Sequence, residues 1–214
     1  QKPFDFVTAA YLTRICNEKA ANLLELREGL EHCSDGAIFY NTFQSLGRYH
    51  FLTEGFSNEF AQWVLASCNC AELAEMLASL DIRDYLLLED LRRDLRNIVD
   101  EYCAAHPTRA TQIAFEPFYF CESIEVTVPL GIETTTLEDF CAVLKELNNA
   151  SFQYHFITSR LRLQLRTNDF SMWFEDGLGL TTLAKRANQI DIYTNTLDSA
   201  RFALLGLAEK EILQ

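Results

Sequence analysis

Apolar and polar residues alternate along this chain in an order that occurs twice. Phe4-Asp5-Phe6 is answered by Phe118-Tyr119-Phe120, and Leu23, Leu26 and Leu30 by Leu137, Phe140 and Leu144. Further on, Phe39 and Phe43 correspond to Phe152 and Phe156, and Asn58, Phe60 and Trp63 to Asn168, Phe170 and Trp173. Leu80-Asp81-Ile82 then corresponds to Ile190-Asp191-Ile192. Preserved order with few gaps reads as a tandem duplication. The chain accordingly divides into a first copy (1–103), a linker holding Pro107 and Pro117 (104–117), and a second copy (118–214).

Each copy opens on a Phe-x-Phe segment that reads as extended. Ile124, Val126 and Val128 alternate with polar residues, predicting a strand that ends at Pro129-Leu130-Gly131. Ala9-Ala10-Tyr11-Leu12 in the first copy reads equally well as helix. A helix follows, capped in the second copy by Thr136 and striped by Leu137, Phe140, Leu144 and Leu147. Phe39 and Phe43, like Phe152 and Phe156, stand four apart and suit a buried helical face. Ser57 and Thr167 are placed to cap the next helix, whose stripe is Phe60, Trp63 and Val64 or Phe170, Trp173 and Phe174.

The last helix of the first copy carries a seam of Leu88, Leu91, Leu95, Ile98 and Tyr102. Glu89 with Arg93 and Arg96 with Asp100 would pair along its wet face, and Asp84 and Thr194 take the capping positions in the two copies. The matching helix of the second copy has a weaker stripe of Phe202, Leu205, Ala208 and Ile212. The predicted fold is mainly α, a pseudo-twofold tandem of one helical module with a short strand from each Phe-x-Phe segment. An α+β fold is the alternative, since two strands need helices packed over them.

Charge narrows the partners. A net charge of −13 and a pI near 4.7 disfavour nucleic acid and anionic membranes. No apolar run approaches the ~18 residues of a membrane span, and Gln1-Lys2-Pro3-Phe4 shows no signal peptide. Seven cysteines, an odd number with no small-domain framework, point to a reducing compartment and a cytoplasmic protein.

Cys68-Asn69-Cys70 could be half of a metal site. The repeat argues otherwise. Cys68, Cys70, Cys16, Cys33, Cys103 and Cys121 face Leu178, Leu180, Leu130, Leu147, Leu213 and Val7, and only Cys141 faces a charged residue, Arg27. Cysteines that exchange with aliphatic residues behave as small hydrophobes, so no metal and no cofactor is implied. No histidine recurs: His32 faces Glu146, His155 faces Thr42, His50 falls in an insertion and His106 in the linker. Nucleophile-elbow, dinucleotide and phosphate-loop motifs are missing, and Gly177-Leu178-Gly179 reads as a helix stop. The run Arg160-Leu161-Arg162-Leu163-Gln164-Leu165-Arg166 is the most functional in aspect. Extended, it lines three guanidinium groups along one face, suited to a phosphate or carboxylate; helical, it disperses them.

Phe152-Gln153-Tyr154-His155-Phe156, Ser159-Arg160-Leu161-Arg162-Leu163 and Asn168-Asp169-Phe170-Ser171-x-Trp173 resemble an uncharacterised family of bacterial and archaeal proteins, a domain of unknown function. The resemblance extends through Asp191-Ile192-Tyr193-Thr194-Asn195-Thr196-Leu197 and implies architecture without activity. That family is richer in histidine where this chain has Asn41 and Phe43, so no metal set is carried over. The leading expectation is a non-enzymatic binding or protein-interaction module. The alternative is a small-anion or phosphate-ligand binder, or an enzyme, built on Arg160, Arg162, Arg166, His155 and His50. A third reading is a homodimer formed through the Leu88-to-Tyr102 helix.

Overall fold

The structure, a computed structural model, describes residues 2–44, 58–81, 84–191 and 196–213. Strands β1 (Phe4–Ala20) and β2 (Phe118–Thr134), of 17 residues each, pair as a two-stranded antiparallel sheet in an otherwise helical chain. After β1 come α1 (Leu23–His32), α2 (Asp35–Phe39), a π-helical turn (Tyr40–Gln44), α3 (Glu59–Ala66), α4 (Ala71–Ala78), α5 (Leu88–Ala105) and the one-turn α6 (Pro107–Ala110). After β2 come α7 (Leu137–Glu146), α8 (Asn149–Gln153), a second π turn (Tyr154–Thr158), α9 (Ser159–Arg162), α10 (Asp169–Asp176), α11 (Thr181–Asn188) and α12 (Leu197–Ile212).

The strands are not short. Ala9-Ala10-Tyr11-Leu12, a segment with no local strand preference, is extended because β2 lies beside it; cross-strand pairing overrides propensity. β2 also runs on through Pro129-Leu130-Gly131. Proline is tolerated where its missing N–H faces an open edge, and Gly131 adopts φ +68°, which a residue without Cβ takes at little cost.

The chain forms two compact units, Gln1–Tyr11 with Glu125–Gln214, and Leu12–Ile124. The Phe-x-Phe end of each strand therefore belongs with the helices that follow the other strand.

In the unit Leu12–Ile124, Phe118 and Phe120 lie 5.2 and 5.8 Å from Phe60 between ring centroids. Gly29 of α1 makes room for Phe120, since a Cβ there would come within 2.4 Å of the ring. The seam of α5 is buried against α1, but it passes through Val99 rather than Ile98, and through Arg92. The expected pairs along α5 do not form. Arg96 reaches Glu31 and Arg27 reaches Asp100 at 3.0 Å, both between α1 and α5, while Arg93 pairs with Asp90 and Asp94. For Arg96 and Asp100, a partner on the packed neighbouring helix wins over one a turn away.

In the unit Gln1–Tyr11 with Glu125–Gln214, Phe4 and Phe6 enter a cluster of Phe140, Phe170 and Trp173 with centroids 5.3 to 6.5 Å apart. Each fully buried ring contributes about 1.5–3 kcal/mol. Caps fall one residue later than expected at the next helix starts. Asn58 accepts from the Ala61 N–H at 2.7 Å and Asn168 from the Ser171 N–H at 3.0 Å. Ser57 and Thr194 lie outside the described residues; Thr136 caps α7 as expected and Thr196 caps α12, whereas the N-cap of α5 is Leu87, not Asp84, and supplies no side-chain hydrogen bond.

Candidate functional site

The 8-residue helix α10 starts at Asp169, and the π turn before it places His155 over that start. His155 is 3% exposed, and both ring nitrogens are engaged. The Val7 N–H donates to Nε2 at 2.9 Å, and Nδ1–H donates to Asp169 Oδ2 at 2.9 Å. An accepting Nε2 assigns the neutral, Nδ1-protonated tautomer. So held, His155 pins the strand to the helix, with both ring nitrogens occupied.

Asp169 is the hub. Arg162 grips it end-on, Nη1 to Oδ1 at 3.1 Å and Nη2 to Oδ2 at 3.0 Å. Burial pushes the Asp169 carboxyl up, but the hydrogen bonds from His155 and Arg162, with the charge of Arg162, outweigh it and hold the group below the usual carboxylate range. The Arg162 side chain is 50% exposed and stands 5.7 Å from the Tyr154 ring centroid. Its guanidinium, also in hydrogen-bonding contact with Tyr154, lines a recess of about 330 Å³. Lys2, Phe4, Asp5, Tyr154, Met172, Trp173 and Asp176 line that recess, so one wall is aromatic and the rim is charged.

The arginine row takes neither of its two regular conformations. After the single turn of α9 the chain closes a Schellman-type bend, Leu165 N–H to Arg160 O at 2.7 Å and Gln164 N–H to Leu161 O at 3.4 Å. Gln164 and Leu165 adopt φ +55° and +63°, a left-handed pair costing roughly 1–3 kcal/mol per residue. The three arginines consequently part. Arg160 is buried, with Nη2 on the Asn188 carbonyl at 3.2 Å; Arg166 is exposed; Arg162 alone reaches the recess. Of the five residues picked from sequence, the structure brings together His155 and Arg162, and His50 lies outside the described residues.

Asp169 was missed as a site residue because an acid in a first helical turn is explained by capping alone.

Elsewhere, clefts of about 520 and 570 Å³ lie between α1 and α5, but Arg27, Arg92, Arg93 and Arg96 are matched there by acids. Among the described residues no group of three or more His, Cys, Asp or Glu is placed to hold a metal ion, and no helix is long and apolar enough to cross a membrane.

The chain belongs to DUF5752, a family of unknown function, whose pattern it matches over residues 1–209. Among solved structures it is similar to OrfY from Thermoproteus tenax, with 28% identity and a TM-score of 0.85 over 98% of this chain and 95% of that one. No curated protein matches it.

Proposed function

We propose that the chain is a non-enzymatic binding module whose ligand sits in the recess beside Arg162. One observation carries this reading: a guanidinium clamped by Asp169, yet half-exposed to a cavity with an aromatic wall. A fixed donor beside apolar surface fits a ligand with a hydrogen-bond acceptor and an apolar body. A catalytic role is less well served, because His155 spends both nitrogens on the fold. A free anion is less well served too, because Asp5, Asp169 and Asp176 outnumber Lys2 and Arg162 around the recess. We further read the chain as a tandem duplication, supported by the recurring order of elements, and as cytoplasmic, supported by seven cysteines that form no disulfide among the described residues.

A thermal-shift screen of small molecules and peptides tests the site. Compounds that stabilise the wild type should lose their effect on Arg162→Ala and on Met172→Glu, and keep it on Arg166→Ala. Equal stabilisation of all four proteins would refute the recess as the binding site.

A further inference from the structure

The backbone of β1 beside the recess carries a second observation. Val7 sends both of its backbone groups away from β2, its N–H to His155 Nε2 and its C=O to the Ser151 hydroxyl, which donates at 2.6 Å. In an antiparallel pair, residues two apart on a strand direct their backbone groups to the same edge. Asp5, two residues earlier on β1, therefore points its N–H and C=O outward as Val7 does. At Val7 that edge is closed by helix side chains. At Asp5, which is exposed and lines the recess, no helix side chain takes either backbone group among the described residues. Among the described residues the sheet has two strands, and no third strand lies beside this edge.

An open strand edge is a template for another extended chain. The recess adds what such a chain needs beyond main-chain pairing. Phe4, Met172 and Trp173 form an apolar wall for one side chain, and the half-exposed guanidinium of Arg162 can meet a main-chain carbonyl. Because Asp169 already neutralises Arg162, an uncharged carbonyl suits the guanidinium as well as an anion does. Asp5 and Asp176 at the rim, on a chain of net charge −13, favour a basic partner.

We infer that the recess receives a short extended peptide of a partner protein, pairing with the edge of β1 at Asp5 and seating a large apolar side chain, flanked by basic residues, against Trp173. This rests on the recess being the binding site and adds the mode of recognition.

Selection of a displayed library of nine-residue peptides against the full chain, followed by fluorescence anisotropy on the tightest binder, tests it. Asp5→Pro deletes the outward N–H, and an outward-facing edge position tolerates proline. It should weaken binding at least tenfold relative to Asp5→Ala, the control that removes the side-chain charge and keeps the backbone N–H. Should Asp5→Pro fail to fold, N-methylation of the peptide one amide at a time gives the same readout. Alternate methylations should cost tenfold or more and the intervening ones little. A peptide that loses affinity on Arg162→Ala and Met172→Glu but is indifferent to Asp5→Pro and to methylation pattern overturns strand pairing and leaves the recess standing. A peptide indifferent to Arg162→Ala and Met172→Glu overturns both. A library that yields no binder, while small molecules still depend on Arg162, overturns the peptide alone.

Discussion

The indole N–H of Trp173 donates to the carbonyl of Lys2 at 2.9 Å, tying a helix to the residue two places before a Phe-x-Phe segment. Trp63 does the same to Glu116 at 2.7 Å in the other unit. The bond fixes where the start of β1 crosses the floor of the recess. Trp173→Phe should keep most of the ring packing, 5.6 Å from Phe4 and 5.4 Å from Phe140, and lose only the donor. Since the Lys2 carbonyl can turn to water, urea unfolding should show a loss of about 1 kcal/mol. Amide exchange at Phe4 and Phe6, whose N–H groups face β2, should accelerate more than exchange in α12. A uniform acceleration would mean that the ring, not its N–H, is what matters.

Asp169 makes stability depend on pH in a definite direction. Its carboxyl is held below the ordinary value of about 3.9 that it regains on unfolding. The contribution is therefore fully present above that value and is lost as pH falls through the folded-state pKa. Asp169→Asn should lower stability at pH 7 by about 1–3 kcal/mol, because the Nδ1–H of His155 and the inner N–H groups of Arg162 lose their charged acceptor. The difference from wild type should shrink as the pH is lowered below about 4. Paired denaturation curves between pH 3 and pH 7 measure it, and a gap that stays constant across that range would show that the carboxylate charge plays no part.

Much of the helical framework was legible because its signals are local. Spacings such as Leu137, Phe140 and Leu144, or the Thr136 cap, need only one turn of chain to be read. The strand lengths were not, since residues 9–12 extend only because another strand lies beside them. Nor could the pattern say which helices Phe4 and Phe6 pack on; burial is written in a sequence, and the identity of the burying partner is not. At the site, His155 and Arg162 stood out by type. Their connection through Asp169 depends on the left-handed pair Gln164 and Leu165, residues whose side chains give no hint of that conformation.

Arg92 holds the end of α1 from within α5. It donates to the carbonyls of Leu30 and Cys33 at 2.8 and 2.7 Å and to Asp35 at 2.7 Å, with its side chain 10% exposed. Arg201 reaches the Leu147 carbonyl at the end of α7 in the same manner. Arg92→Ala leaves two buried carbonyls without a donor and should cost about 3 kcal/mol. Arg92→Lys keeps the charge but cannot divide its donors among three acceptors in one plane, so it should recover only part of that loss. Chemical denaturation of both variants checks the order; a lysine variant as stable as wild type would reduce the role of Arg92 to its charge.

The cysteines offer the last test, which bears on whether any of them does chemistry. Burial pushes the Cys68 thiol up to about 12 and the Cys141 thiol up to about 11. Burial also takes Cys33 to about 11, despite the opposing charge of Arg92 and its guanidinium at 3.5 Å. The thiolate is the form that attacks an alkylating agent and binds metal. At pH 8 a thiol near 11 holds about a hundredfold less thiolate than an ordinary one, before any loss of access is counted. Iodoacetamide should therefore label Cys33, Cys68 and Cys141 at least a hundredfold more slowly in the native chain than in urea, as read by peptide mass spectrometry. A native Cys68 that reacts as fast as an unfolded one would reopen the metal reading of Cys68-Asn69-Cys70. Slow labelling throughout leaves these thiols as packing groups.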